Sequence, residues 1–386
     1  MKKYYLAASL VFLSILFAGF SDNMKGIFIP SFKEEFLISD SNVSIVLLAA
    51  SLGYIVCQYI GGVLVEKTGH KNTYFVAFTS AIIGIVLIYL SSSFYILVLG
   101  ILLLTMGVST AVLCTNALIP LIFVSSQAVF MGIVHFSYGV GVTAGQRTAG
   151  SLLGVGYDYR QIYLICGAIA IALMLITLLS KFPKENIKIE KNKKIIPLKE
   201  VLKDKFVLLF SFALGFYILA EAIMGTWFIN YMKVVYSYDE NKGSYYVGIF
   251  FFLFAVGRFF GGFIAEKFGY FKTVITFIVL ALIFVSTGLI GGEKLIIFMA
   301  ISGLFFSLIY PVIVTAINMR FKTNTAYILG VILTITSIIG NGMNFVLGYI
   351  NDLVGTYNGF FIVPISLVIS LGICVVLSKE IKRENV

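Results

Sequence analysis

Apolar residues fill the chain in twelve runs separated by short polar segments. They lie near 5–29, 42–65, 73–92, 95–120, 127–153, 160–181, 206–232, 244–266, 273–291, 294–319, 327–351 and 357–378. A helix needs about 20 such residues to cross roughly 30 Å of hydrocarbon, so each run predicts one spanning helix. Barrel strands are excluded, because they alternate apolar and polar positions and are only about 10 residues long. The first run, after Lys2 and Lys3, resembles a secretory signal, but it continues past Asp22 to Pro30 without a cleavage site. The expectation is an all-α membrane protein with twelve transmembrane helices.

Composition points the same way. The 386 residues are 60% hydrophobic and 12% charged, with a mean hydropathy of +1.01. A soluble chain carries roughly 25% charged residues, so a soluble enzyme, a nucleic-acid binder and a disordered scaffold are excluded as whole-chain readings. The net charge of +10 is not a basic face for nucleic acid, because the positive residues sit in short segments between apolar runs. Lys2, Lys3, Lys67, Lys71, the lysines of 181–205, Lys267, Lys272, Arg320, Lys322, Lys379, Lys382 and Arg383 fall on one side of a twelve-span topology. The opposite side holds only Lys33, Arg160, Lys233, Lys242 and Lys294. Positive residues mark the inside, which predicts a cell-membrane protein with both termini and the linker in the cytoplasm. The expected division is a first six-helix bundle over 1–181, a basic linker over 182–205 that also meets anionic lipid, and a second bundle over 206–386.

The halves repeat. Gly61-Gly62, Glu66-Lys67 and Gly69 after span two return 200 residues later as Gly261-Gly262, Glu266-Lys267 and Gly269 after span eight. Gly132 and Gly150 in span five match Gly330 and Gly348 in span eleven at an offset of 198. Two six-span halves in parallel orientation imply a pseudo-two-fold axis along the membrane normal and a binding site near the midplane. Within the loops, Gly62, Gly69, Gly262 and Gly269 provide tight helix and turn geometry. Glu66 and Glu266 serve as charge partners or helix-end caps, and Lys67, Lys71 and Lys267 as cationic partners. Arg258, just before the second loop, reads as part of the same cytoplasmic gate.

Ionisable groups inside a bilayer cost at least roughly 2.5–3.5 kcal/mol, so each is a functional candidate. Asp22 and Lys25 share one helical face and can pair; Asp22 either binds substrate or a proton, or belongs to a neutralised structural pair. Glu221, near the middle of span seven, has no basic neighbour at i±3 or i±4. It suits a proton-coupling role, or else is fixed by an interhelical partner such as Arg147. His135 is a proton relay or a packed interior histidine. Arg147 pairs with Asp22 or Glu221, or binds an anion. Uncharged polar residues form stripes: Thr334, Ser337, Asn341, Asn344, Gly348 and Asp352 in span eleven, Ser51, Tyr54 and Gln58 in span two, and Thr105, Ser109 and Asn116 in span four. Lipid cannot satisfy such groups, so they face a wet cavity or a neighbouring helix. Amides with aromatic rings suit a sugar, with Asp22, Tyr54, Gln58, Asn116, Trp227, Asn341 and Asn344 as candidate contacts. Pro311 and Pro364 should kink spans ten and twelve.

Cys57, Cys114, Cys166 and Cys374 have neither metal-ligand nor disulfide spacing. There is no phosphate-binding glycine loop and no metal-ligand cluster, so no enzyme activity, metal or cofactor is expected. Energy, if used, comes from an ion gradient.

The loop Gly62-x-x-x-Glu66-Lys67-x-Gly69-x-Lys71 resembles the signature loop of the major facilitator superfamily, with Glu where Asp is commonest. With the six-plus-six split and the repeated loop, the resemblance covers essentially the whole chain. The first span from Gly19 to Phe32, Gly139-Val-Gly141 in span five, and Glu221 with Trp227 in span seven are similar to fucose-permease-like sugar transporters. The proton-carrying aspartate of that branch falls four residues after Asp22, where this chain has Gly26. The resemblance implies a monomeric secondary transporter of a small polar solute, sugar or polyol-like, coupled to a proton or other cation and working by alternating access. The same scaffold supports proton-linked efflux of amphipathic compounds. A membrane sensor would call for an appended signalling domain, which is missing.

Overall fold

A computed structural model describes residues 4–22, 24–38, 40–183, 196–238 and 240–384. All regular structure among the described residues is helical, as a chain in hydrocarbon requires if its backbone polar groups are to be satisfied within each segment. The first half comprises α1 (Tyr5–Asp22), α2 (Ile29–Phe36), α3 (Asp40–Tyr89), α4 (Phe94–Ile122), α5 (Gln127–Gly154) and α6 (Tyr159–Leu179). After the short α7 (Leu198–Val201) come α8 (Lys205–Thr226), α9 (Phe228–Tyr236), α10 (Glu240–Phe268) and α11 (Tyr270–Ile290). The chain closes with α12 (Ile296–Ile301), α13 (Gly303–Phe306), α14 (Ile309–Arg320), α15 (Thr325–Val354), α16 (Thr356–Gly359) and α17 (Ile362–Glu384).

Ten stretches among the described residues are long and apolar enough to cross a membrane. One of them, Ile45–Tyr89, contains two crossings joined at Gly69, and Thr325–Gly340 is a further apolar helix. Twelve crossings result, as the hydropathy pattern predicts. The hinge at Gly69 has φ 79 and ψ 166, and its repeat Gly269 has φ 91 and ψ 142. A side chain is strained in that region, so the loop glycine recurs because the turn requires it.

Contacts divide the chain into two compact units. The first is Met1–Ser125, Val134–Ile196 and Phe321–Val331; the second is Ser126–Ile133, Pro197–Arg320 and Ile332–Val386. Thus the first turns of α5 and α15 each cluster apart from the rest of their own helix. In the first unit α3 lies along α4, and α1 packs on α4 and α6. In the second, α17 packs on α8 and α11. Many buried hydroxyls bond back into their own helix, as Ser14 does to Leu10 O at 2.6 Å. Others join helices: Tyr74 meets Thr115 at 2.6 Å, and Ser370 donates to Ala213 O at 2.8 Å. All four cysteines are free and buried.

Pro311 and Pro364 act four residues upstream of themselves. A proline ring collides with the carbonyl of residue i−4 and cannot donate to it. The helical runs accordingly break at Ser307–Leu308, between α13 and α14, and at Phe360–Phe361, between α16 and α17. Pro364 itself stands in the first turn of α17, so span twelve is interrupted before the proline rather than bent at it.

Helix α2 starts with Pro30 in its first turn and is held to the first unit by aromatic packing and one carboxylate. Phe32 meets Tyr159 edge-on at 4.9 Å, and Phe28 lies 5.3 Å from Tyr163. Glu35 accepts from Tyr159 and from Nη1 of Arg160, each at 2.7 Å, while Nη2 of Arg160 reaches both Glu35 and Ser91 O. The Arg160 hydrogen bonds, aided by Tyr159, hold the Glu35 carboxyl below its ordinary value. A depressed carboxylate stabilises the fold above its unfolded pKa of about 4.3, and that contribution disappears as pH falls through the folded value. The apparent unfolding temperature should therefore drop on acidification from about pH 5 to pH 3, with a flatter profile in Glu35→Gln. An unchanged slope in the variant would remove Glu35 from the account.

Candidate functional site

The repeated loops build two matching helix caps. Oε1 of Glu66 accepts the main-chain N–H of Ala326, in the first turn of α15, at 3.0 Å. Oε1 of Glu266 accepts that of Ala128, in the first turn of α5, also at 3.0 Å. Free N–H groups and the positive end of the helix dipole both favour a carboxylate there. The glycines permit the approach: a Cβ on Gly62 would lie 2.6 Å from Ala326 O, and one on Gly132 2.6 Å from Arg258 O. Lys71 donates to Leu178 O at 2.6 Å near the end of α6, while Lys67 and Lys267 are exposed. Loss of one cap by Glu66→Ala should cost about 1 kcal/mol. Since the two caps match, Glu266→Ala should lower the unfolding midpoint of purified protein similarly, and the double variant roughly twice as far.

The second unit holds a charged cluster inside a spanning helix. Asp204 caps α8 by accepting from Phe206 N at 2.8 Å. Glu221 follows roughly 24 Å along the axis from Lys205, at 1.5 Å per residue. Its Oε2 is hydrogen-bonded by the hydroxyl of Tyr217, one turn earlier on the same face. Its Oε1 lies 3.6 Å from Nη2 of Arg258 on α10. The guanidinium stacks over Phe254 at 4.1 Å, and the Tyr217 hydroxyl also stands 2.7 Å from the carbonyl of Phe306 on α13. Tyr217 is fully buried, and the Arg258 and Glu221 side chains are 10% and 21% exposed. The cluster is therefore inside the fold but not sealed at the carboxylate.

The repeat shows that this chemistry belongs to one half only. At the 200-residue offset Arg258 corresponds to Gln58 and Glu221 to Ser21. Gln58 is buried, and Ser21 donates to Phe17 O at 2.8 Å. A scaffold role common to both halves would not need ions in one and neutral groups in the other.

The remaining candidates are dispersed. Asp22 ends α1, and Lys25 donates to its Oδ1 and to its main-chain carbonyl, both at 2.6 Å, so the lysine neutralises the negative helix end. Tyr54 is half-buried, and its carbonyl accepts from Ser109 at 2.7 Å, which joins the stripes of spans two and four. Asn116 and His135 are buried in the first unit. Arg147 is exposed and takes no ion-pair partner among the described residues; the cation beside Glu221 is Arg258. Trp227 is half-buried at the break between α8 and α9. The side chains of Asn341, Asn344 and Asp352 lie outside the described residues.

The i−4 spacing in the sequence already places Tyr217 on the face of Glu221, where its hydroxyl is found. Arg160 and Glu35 carry no mutual pattern, being 125 residues apart. The first helix of each half is interrupted, at the turn of Ile27–Phe28 and, 200 residues on, at Trp227. Matched interruptions are the feature that points to solute sites in transporters built from repeats.

The family model described as Major Facilitator Superfamily matches residues 11–326. No curated protein matches the chain in sequence. Among solved structures, the transporter FucP in the outward conformation superposes with a TM-score of 0.81 at 16% identity, over 95% of this chain and 97% of that one. The E. coli fucose:proton symporter FucP gives 0.82 at 16% identity, covering 96% and 98% of the two chains. The human organic anion transporter MFSD10 gives 0.75 at 10% identity, covering 96% and 99%. At these identities the likeness is one of fold.

Proposed function

From the premise that this chain belongs to the major facilitator superfamily and is a multi-pass membrane transporter, we propose that it is a proton-coupled symporter of a small polar solute, sugar or polyol-like. Glu221 is the proton site. The observation that carries this reading is the Glu221–Arg258 pair, set in an apolar spanning segment of one half and replaced by Ser21 and Gln58 in the other. A carboxylate and a guanidinium in such a place are expensive unless used. The single tryptophan, half-buried at the break after α8, offers a ring for the apolar face of such a solute. The fucose:proton symporter among the solved structures of this fold adds support for the solute class. Transport proceeds by alternating access, and the two Glu-capped loops govern opening on the cytoplasmic face, where both termini and the basic linker lie. The working unit is the monomer.

The test is a thermal-shift screen of purified protein against sugars, polyols, nucleosides, amino acids and cationic drugs. Any ligand found is then followed into proteoliposomes under an imposed pH difference. Uphill uptake of a sugar or polyol driven by inward proton flow supports the reading. Stabilisation by cationic drugs alone, with proton-driven extrusion, replaces it with efflux.

A further inference from the structure

We infer that Tyr217 is a positioning residue whose single hydroxyl proton switches between Glu221 and the Phe306 carbonyl as Glu221 gains and loses its proton. This rests on the assignment of Glu221 as the proton site and extends it to a second group. A phenol carries one proton, yet the Tyr217 oxygen has two oxygens in hydrogen-bond contact, Oε2 of Glu221 and, at 2.7 Å, the carbonyl of Phe306. With Glu221 ionised, the hydroxyl donates to the carboxylate and its lone pairs face the carbonyl. With Glu221 protonated, the acid donates to the phenol oxygen, the phenol donates to the carbonyl, and all three oxygens are satisfied.

The carbonyl is a real competitor. Phe306 is the last residue of α13, just before the break four residues ahead of Pro311, and terminal carbonyls of a helix lack the usual intrahelical donor. Each protonation event at Glu221 thereby makes or removes a bond to the broken tenth segment. No atom is exchanged between the two side chains: the transported proton enters and leaves at the carboxylate, and the phenol keeps its own while rotating.

The charged or titratable groups described as meeting Glu221 are Tyr217 on α8 and Arg258 from α10; α13 adds only the carbonyl and ring of Phe306. Arg320 on α14 and Glu380 on α17 reach α8 at Phe206 and Lys205, at the far end of the helix. Closer to the cluster α15 meets α8 through the apolar Ile339 and Gly340, at Gly215 and Ile218, while the neutral hydroxyls of Thr336 and Ser370 bond further down α8, to Ser211 O and Ala213 O.

Infrared difference spectra of the full protein in lipid, recorded across a pH titration with and without ring-labelled tyrosine, test the idea without a known solute. The expected result is a carboxylic-acid band and one tyrosine C–O band that shift with the same midpoint. Both bands should vanish in Glu221→Gln, and only the tyrosine band in Tyr217→Phe. A carboxyl band that titrates with no tyrosine band overturns the switch and leaves the proton site standing. Absence of any titrating band sensitive to Glu221→Gln overturns both. The labelled, unsubstituted protein decides the matter even if Tyr217→Phe fails to fold.

Discussion

Glu221→Gln should abolish gradient-driven accumulation while sparing exchange. In proteoliposomes a pH difference of one unit supplies about 1.4 kcal/mol per proton, which a one-to-one symporter converts into about tenfold accumulation at equilibrium. Glutamine keeps the length of the side chain and can still accept from Tyr217, so packing of α8 against its neighbours is preserved. It cannot release a proton. Exchange of labelled for unlabelled solute cycles the carrier without returning it empty, and requires no change of protonation. The internal-to-external ratio should therefore fall from about ten to about one, with counterflow within a few-fold of the unsubstituted protein. Retained tenfold accumulation would move the coupling to another residue, with His135 the next ionisable candidate inside a span. Loss of counterflow together with accumulation would instead place Glu221 on the solute.

Hydropathy alone carries most of the architecture, because a bilayer leaves the backbone few choices. The twelve runs and the loop glycines at 69 and 269 translate directly into helices and turns. The prolines were half legible. Their presence announces an interruption, but the ring acts on residue i−4, so the breaks fall at Ser307 and Phe360 rather than at Pro311 and Pro364. Pairing inside the bundle was least legible. Glu221 and Arg258 are both visible as ions in apolar runs, yet nothing in their spacing of 37 residues joins them. Which cation reaches the carboxylate depends on the packing of α10 beside α8 and on the length of an arginine side chain. Arg258 stands just before the loop motif, and its guanidinium turns towards Glu221 while its main chain lies against Gly132. The repeat contained a usable clue, since Gln58 and Arg258 occupy equivalent positions and only one is charged.

Arg258→Ala should be the most destabilising single change in the cluster, and Glu221→Gln should rescue much of it. Removing one member of a buried ion pair costs about 3–5 kcal/mol, chiefly because the surviving charge is stranded. The stranded group here is a carboxylate whose remaining donor is the Tyr217 hydroxyl. Loss of stacking on Phe254 adds about 0.5–2 kcal/mol, which no change at residue 221 can restore. The apparent unfolding midpoint should fall by on the order of 5 °C or more in Arg258→Ala. In the double variant Arg258→Ala with Glu221→Gln it should recover by at least half, because no charge is left unpaired. A non-additivity of roughly 0.5–3 kcal/mol between the two changes is the signature of direct coupling. The 3.6 Å separation favours the lower part of that range, since the contact is electrostatic rather than a close hydrogen bond. Arg258→Lys separates charge from shape: it keeps a cation for Glu221 but gives up the planar stacking on Phe254, so its midpoint should lie between those of Arg258→Ala and the unsubstituted protein. Strict additivity of the two single changes would mean that Arg258 stabilises the fold through Phe254 and its helix alone. Glu221 would then need another counter-charge during the transport cycle.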